Sequence, residues 1–181
     1  MNYQVTVPAS TSYVPVAELK THLLLFGDTS YDTELQEILL ASEEFLSDFL
    51  GEYMTDTTVR MNFFSFGDLT LPHKVATTPV VSYWDTNNTA QVHASSNYVI
   101  DTSTLYPTIK FTSNPTGLST KFDNAGYVTY VTSLDTIPAK LNRAILIVAA
   151  EMFENRTESS EKKMEAVKLT AMRLIQSIRG W

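Results

Sequence analysis

Cysteine is absent from the chain, which excludes disulfides, thiolate metal sites and thiol nucleophiles and fits synthesis in a reducing cytoplasm. Histidine is scarce. The three present, His22, His73 and His93, have no second histidine or cysteine at metal-ligand spacing. Ordinary surface or boundary positions are expected for His22, beside an apolar helix face, and for His73, which follows Pro72 in a loop. The six glycines are too scattered to build a phosphate-binding loop or a nucleophile elbow, and no HExxH pattern occurs. The expectation is therefore a protein with no catalytic residues, no cofactor and no metal. No stretch approaches the roughly 18 apolar residues of a membrane span, and the longest apolar run, Ala144 to Ala150, fits inside a soluble helix. The N-terminus, MNYQVTVPAS, has neither a basic start nor a hydrophobic segment, so no secretion signal is expected.

What the chain does have is enough apolar material for one sizeable core: 44% hydrophobic residues in a length of 181, which suggests one domain with an appended element. The net charge of -7 is unevenly distributed. Residues 1 to 56 hold ten acids against one base, Lys20, whereas residues 156 to 181 hold six bases against three acids. Two readings stay open: solvated helix faces, or complementary surfaces that fix the register of neighbouring subunits or partners. Under the second, Glu34, Glu37 and Glu44 are candidate contacts with a neighbouring subunit or another partner. A concentrated basic surface of the kind a sequence-specific DNA binder needs is not evident.

Hydrophobic periodicity predicts helix one over Val16 to Phe26, with Val16, Leu19, Leu23 and Phe26 inward and Gly27-Asp28 breaking it. Thr29-Ser30-Tyr31-Asp32 fits a capping box for helix two. The expected buried stripe of helix two is Leu35, Ile38, Leu39, Phe45, Phe49 and Tyr53, with Glu34, Glu37, Glu44 and Asp48 on the wetter side and Gly51 as its end. From Thr57 to Thr132 short strands are expected at Val59 to Phe64, Val80 to Trp84, Gln91 to His93, Tyr98 to Asp101, Thr108 to Phe111 and Tyr127 to Thr132. Ser113 to Gly126, polar and rich in turn formers, reads as a mobile excursion. Pro138 falls in the first turn of a third helix whose apolar face is Leu141, Ile145, Val148, Met152 and Phe153.

Past a polar hinge, Thr157 to Ser160, the residues Met164, Val167, Ala171, Leu174, Ile178 and Trp181 recur at alternating intervals of three and four, a narrow seam suited to one partner surface. The helix either folds back on its own core or leaves it as an arm. Glu43-Glu44 and the acid row on helix two have the residue type for acid-base work, but a hydrated helix face explains them without a pocket. Tyr83-Trp84 reads more simply as core on one side and interface on the other than as a base-stacking pair.

The segment GYVTYVTSLDTIPAKLNRAILIVAAEMFENR (126–156), with VPVAELKTHLLL (14–25), LQEILLASEEFLSDFLG (35–51), the strand after Pro79 and the YVID strand, resembles the head-tail connector family of tailed bacteriophages, also called head-completion or adaptor proteins. The resemblance lies in the order helix, helix, sheet, helix, with a Pro corner and an ENR ending. It implies an α+β fold in which a helical bundle core of about four helices carries a small, mainly antiparallel β-sheet region between helices two and three. Residues 1–156 would form the adaptor core and 157–181 the hinge and C-terminal arm. It also implies a non-enzymatic virion protein of the neck, made in the host cytoplasm and assembled as a homo-oligomeric ring of about twelve copies. Such a ring lies under the portal protein, extends the channel for double-stranded DNA without sequence-specific binding, helps retain the packaged genome and receives a stopper or tail protein. Related adaptors reach the portal through their C-terminal segment, which assigns portal docking to Met164, Val167, Ala171, Leu174, Ile178 and Trp181, flanked by Lys168 and Arg173. No membrane contact is implied. The alternative is a small DNA-binding or regulatory module using the basic C-terminal helix.

Overall fold

The computed structural model describes residues 3–104, 106–134, 136–155 and Arg173. The described chain runs β1 (Tyr3–Val7), α1 (Val16–His22), α2 (Asp32–Leu50), β2 (Thr57–Phe63), β3 (Leu69–Thr70), β4 (Val80–Trp84), β5 (Ala90–Val92), β6 (Tyr98–Asp101), β7 (Thr108–Phe111), β8 (Gly126–Thr132) and α3 (Ala139–Glu154). It divides into two compact units. One joins Met1–Pro8 to Asp56–Leu134, and the other joins Ala9–Thr55 to the chain beyond residue 134.

The strand unit contains two sheets, one of five strands in the order β1-β2-β8-β4-β5 and one of three in the order β3-β7-β6, with every ladder antiparallel. Strict alternation makes β2 and β8 the centre: in each, every second residue is buried. They pair over seven positions, from Thr57 opposite Thr132 to Phe63 opposite Gly126. Val59, Met61, Val81, Val128 and Tyr130 build the buried face. Around it Phe63, Phe66 and Phe111 meet edge-on or tilted with centroids 5.0 to 5.8 Å apart, a geometry that aromatic quadrupoles favour.

The helical unit packs α1, α2 and α3 on one another. Leu19, Leu35, Leu39, Leu46, Leu141, Ala144, Ile145, Val148 and Ala149 form its interior. Gly51 ends α2 at φ 73°, a left-handed cap available to glycine without steric cost. Tyr31 meets Phe153 edge-on at 5.5 Å.

Several expectations need correction. A four-helix bundle carrying a small sheet is not the architecture: the described residues hold three α-helices, and the eight strands form a unit of their own. The long strands bury alternate residues within the strand unit, where loop residues such as Phe66 and His73 join them, so the middle of the chain builds its own core. It also recruits β1, a strand not expected from the sequence, against β2. Of the expected fourth helix and its hinge, only Arg173 is among the described residues.

Helix one stops at His22 rather than Phe26. Leu24 takes φ 60°, its N–H bonds the Thr21 carbonyl and the Leu25 N–H bonds that of Lys20, so a Schellman closure forms with leucine where glycine is usual. No capping box forms at α2: Tyr31 is the N-cap without a side-chain bond, and Asp32 pairs with Lys20 instead. Pro138 is the N-cap of α3, one position ahead of the expected first turn. Phe45 and Phe49 are only half-buried because Ser42, Glu43 and Ser47 take the innermost side of α2. Ser113 to Gly126 is pinned: Ser119 N–H donates to the Trp84 carbonyl at 2.9 Å, Ser119 Oγ to Asn88 Oδ1 at 2.7 Å, and Leu118 bridges to Asp85.

Two outcomes test this packing. Ile145→Asp places an unpaired charge in the helical interior and is expected to cost about 3–5 kcal/mol, read from chemical denaturation. At Gly126 an added Cβ would collide with the Ser82 carbonyl oxygen and lie 2.8 Å from the Phe63 ring. Gly126→Ala should therefore lose about 1–3 kcal/mol as an overpacked site, whereas Gly67→Ala, with open space around it, should change stability little.

Candidate functional site

On α2, Glu34, Glu37, Glu44 and Asp48 fall within an arc of about 80° at 3.6 residues per turn. Glu37, Glu44 and Asp48 are exposed and Glu34 is half-buried in the first turn, where its charge suits the helix dipole. The acid ridge is thus a coherent surface of the helical unit, on the side expected from the sequence.

Glu43 is separate from that ridge and does not pair with Glu44. It is buried, and its Oε1 accepts hydrogen bonds from Ser12 Oγ, from the Tyr13 N–H at 2.9 Å and from the Val14 N–H at 3.3 Å. Oε2 has no hydrogen-bond partner among the described residues. Burial pushes its carboxyl above the ordinary 4.5, against the opposing effect of those donors. The side chain fixes the 12–14 segment that leads into α1; it is a structural clamp.

The corner after α1 was expected to bury Phe26. Instead Leu24 and Phe26 are 73% and 70% exposed, because the left-handed turn at Leu24 swings both outward. Beside them lies an open cavity of about 320 Å³ lined by Val16, Lys20, Thr21, Leu25, Phe26 and Asp32 among others. Lys20 Nζ and Asp32 Oδ1, 2.7 Å apart, form part of its wall. No nucleophile-base pair lies there.

Neighbours in sequence, Tyr83 and Trp84 point to opposite faces of the five-stranded sheet, which rules out a tandem stacking platform. Tyr83 meets His93 edge-on at 5.9 Å. Trp84 lies 4.7 Å from the Phe122 ring, while the Arg60 guanidinium is 3.6 Å from the Tyr127 centroid and 5.9 Å from Trp84. This cation-aromatic stack occupies its own members and holds Phe122, and with it the 113–126 segment, on the sheet.

His73 was expected at a surface or boundary position and is buried instead. Its Nδ1 is 3.0 Å from the Tyr130 hydroxyl, its ring meets Tyr3 edge-on at 4.7 Å, and burial lowers its pKa, keeping it neutral. His93 is also buried, with Nε2 donating to the Ser113 carbonyl at 2.9 Å. His22 lies near the surface, 3.2 Å from Arg143. Among the described residues no group of three metal-ligating side chains converges, and no helix is long and apolar enough to cross a membrane. Met164, Val167, Lys168, Ala171, Leu174, Ile178 and Trp181 lie outside the described residues; Arg173 is helical and exposed.

No protein-family model matches the chain, and no curated protein matches it. Solved structures do. A chain in the virion of a native gene transfer agent particle superposes with TM-score 0.67 at 18% identity, covering 88% of both chains. The fold is that of a gene transfer agent particle chain. A chain in the neck of an empty particle, computed with C6 symmetry, matches with TM-score 0.67 at 19% identity, covering 88% of this chain and 87% of that one. One in the neck of a native particle, computed with C12 symmetry, gives 0.64 at 18%, with the same coverage. These likenesses agree with the connector resemblance at the level of the fold.

The Glu43 clamp generates a pH prediction. The folded chain binds this proton more tightly than the unfolded chain. The group's contribution to stability is therefore full below 4.5 and is lost as pH rises through the raised folded value. Glu43→Gln keeps an acceptor for Ser12, Tyr13 and Val14 but cannot titrate. The difference in melting temperature, wild type minus variant, is expected to rise as pH falls toward 4.5, in a thermal-denaturation series against pH.

Proposed function

We propose that the chain is a structural subunit of a virion neck, a head-tail adaptor that forms a homo-oligomeric ring under a portal protein, continues the DNA channel, helps hold the packaged genome and receives a stopper or tail protein. The observation that carries this reading is the shared fold with neck chains of gene transfer agent particles over nearly the whole length of both partners, joined to the ordered connector-like segments of the sequence. The chemistry of the described surfaces supports it. The acid ridge of Glu37, Glu44 and Asp48 offers a charged face for a neighbour or a tail-side partner. A net charge of -7 suits a channel in which DNA must slide, since dense basic surfaces would grip its phosphates.

Within this reading the C-terminal segment docks on the portal. Leu174 and Ile178 are its central apolar contacts, Trp181 its anchor, and Lys168 and Arg173 flank them, because large side chains dominate an interface when fully desolvated. Deletion of residues 161–181 is the test: the expected product is a folded protein that no longer binds portal and gives filled heads that leak DNA. Normal portal affinity, or simple unfolding, overturns the docking assignment. Salt-sensitive binding of the intact protein to duplex DNA, lost on the same deletion, would favour the DNA-binding alternative. Independently, Glu34→Lys, Glu37→Lys and Glu44→Lys together should impair assembly while leaving the circular dichroism spectrum unchanged. Normal particles carrying all three reversals would remove the ridge from the contact.

A further inference from the structure

Among the described residues the five-stranded sheet ends in two edges, β1 and β5, with no further strand paired to either. All five residues of β1 and all three of β5 are exposed, and the exposed side chains include Tyr3, Val5 and Val7 on one edge and Val92, 71% exposed, on the other. Sheet edges are templates for pairing, and proteins that keep them unpaired blunt them with charges or proline. Neither YQVTV nor AQV contains a charged residue or a proline. The second sheet differs. Its β3 edge is two residues long, and its β6 edge ends on Asp101, ion-paired to Lys110 at 2.7 Å.

Direction adds a second constraint. All four ladders of the larger sheet are antiparallel, so the outer strands β1 and β5 run the same way. A β1-to-β1 contact joins identical edges about a twofold axis and stops at a dimer. A β1-to-β5 contact joins unlike edges head to tail and repeats, closing when the rotation returns to its start. In a closed ring every copy keeps the same orientation, which makes this junction a parallel pair.

We infer that neighbouring copies of this chain join edge to edge, β1 of one copy pairing in parallel with β5 of the next, so that the larger sheets form a continuous belt. This rests on the ring reading above and names the partner surface within it. Keeping each face continuous fixes the register. Val5 opposes Val59, Val59 opposes Tyr130, Val81 opposes Val128 and Tyr83 opposes Gln91, so Val5 and Gln91 share a face. Gln91 therefore lies opposite Tyr3 or Val5 of the neighbour. With only three residues in β5 the seam sets orientation and register, and the rest of the contact area comes from flanking surfaces.

The absence of cysteine makes the test clean. Full-length Gln91→Cys is mixed with full-length Tyr3→Cys or Val5→Cys and treated with a short bismaleimide, with assembly followed by mass photometry on the same samples. Covalent dimers confined to one of the mixtures, and absent from each variant alone, are the expected result. Rings without cross-linking in either mixture overturn the edge pairing and leave the ring reading standing. Cross-linking of Tyr3→Cys or Val5→Cys with itself overturns it in favour of a twofold contact. Mixed cross-links in open chains without rings support the pairing and count against a closed ring, and neither rings nor cross-links overturns both.

Discussion

The ladder between β2 and β8 is the contact on which the rest of the structure depends. It lies at the middle of the larger sheet, and Thr57 faces Thr132 at one end of it, so the chain enters and leaves the strand unit at adjacent positions. A long stretch of strands is thereby closed off by its own first and last members. The helices that flank it in sequence, α2 and α3, pack on each other. Gly126 is the tight point of the ladder, where the backbone of β8 approaches Ser82 and the Phe63 ring too closely for any side chain.

Polar groups inside the molecule act in the same direction, fixing segments of the chain. Glu43 holds the 12–14 segment against α2, and Arg60 between aromatic rings holds the long 113–126 connection. His73 is kept neutral by burial beside Tyr130. Each of these residue types is common in active sites, yet here their partners are donors, rings and backbone carbonyls of the chain itself. Rigid surfaces follow from this: an acid ridge on α2, an apolar corner at Leu24 and Phe26, and two sheet edges of unlike sequence.

Much of this was legible in the sequence because it depends on local periodicity. Alternation located β2 and β8 to within two residues, short strand-forming runs between turn residues located β4, β6 and β7, and the 3.6-residue period located α2, α3 and the acid ridge. Gly51 marked a helix end because only glycine takes its conformation cheaply. Local signals failed where a distant group competed. Asp32 forms an ion pair with Lys20 rather than serving as part of a cap. Leucine rather than glycine closes α1. Glu43, on an apparently wet stretch of α2, is buried because the 12–14 backbone supplies donors for it.

The sequence by itself determined the type and position of most elements and the absence of cysteine chemistry, since these follow from side-chain spacing and residue identity. The connector-like order of its segments is likewise a property of the sequence alone. Only the tertiary structure decided that the strands make a unit with its own core and that Tyr3–Val7 joins it. The reason is physical: strand pairing and burial depend on contacts between residues far apart in the chain, and no local pattern states which strand will lie beside which.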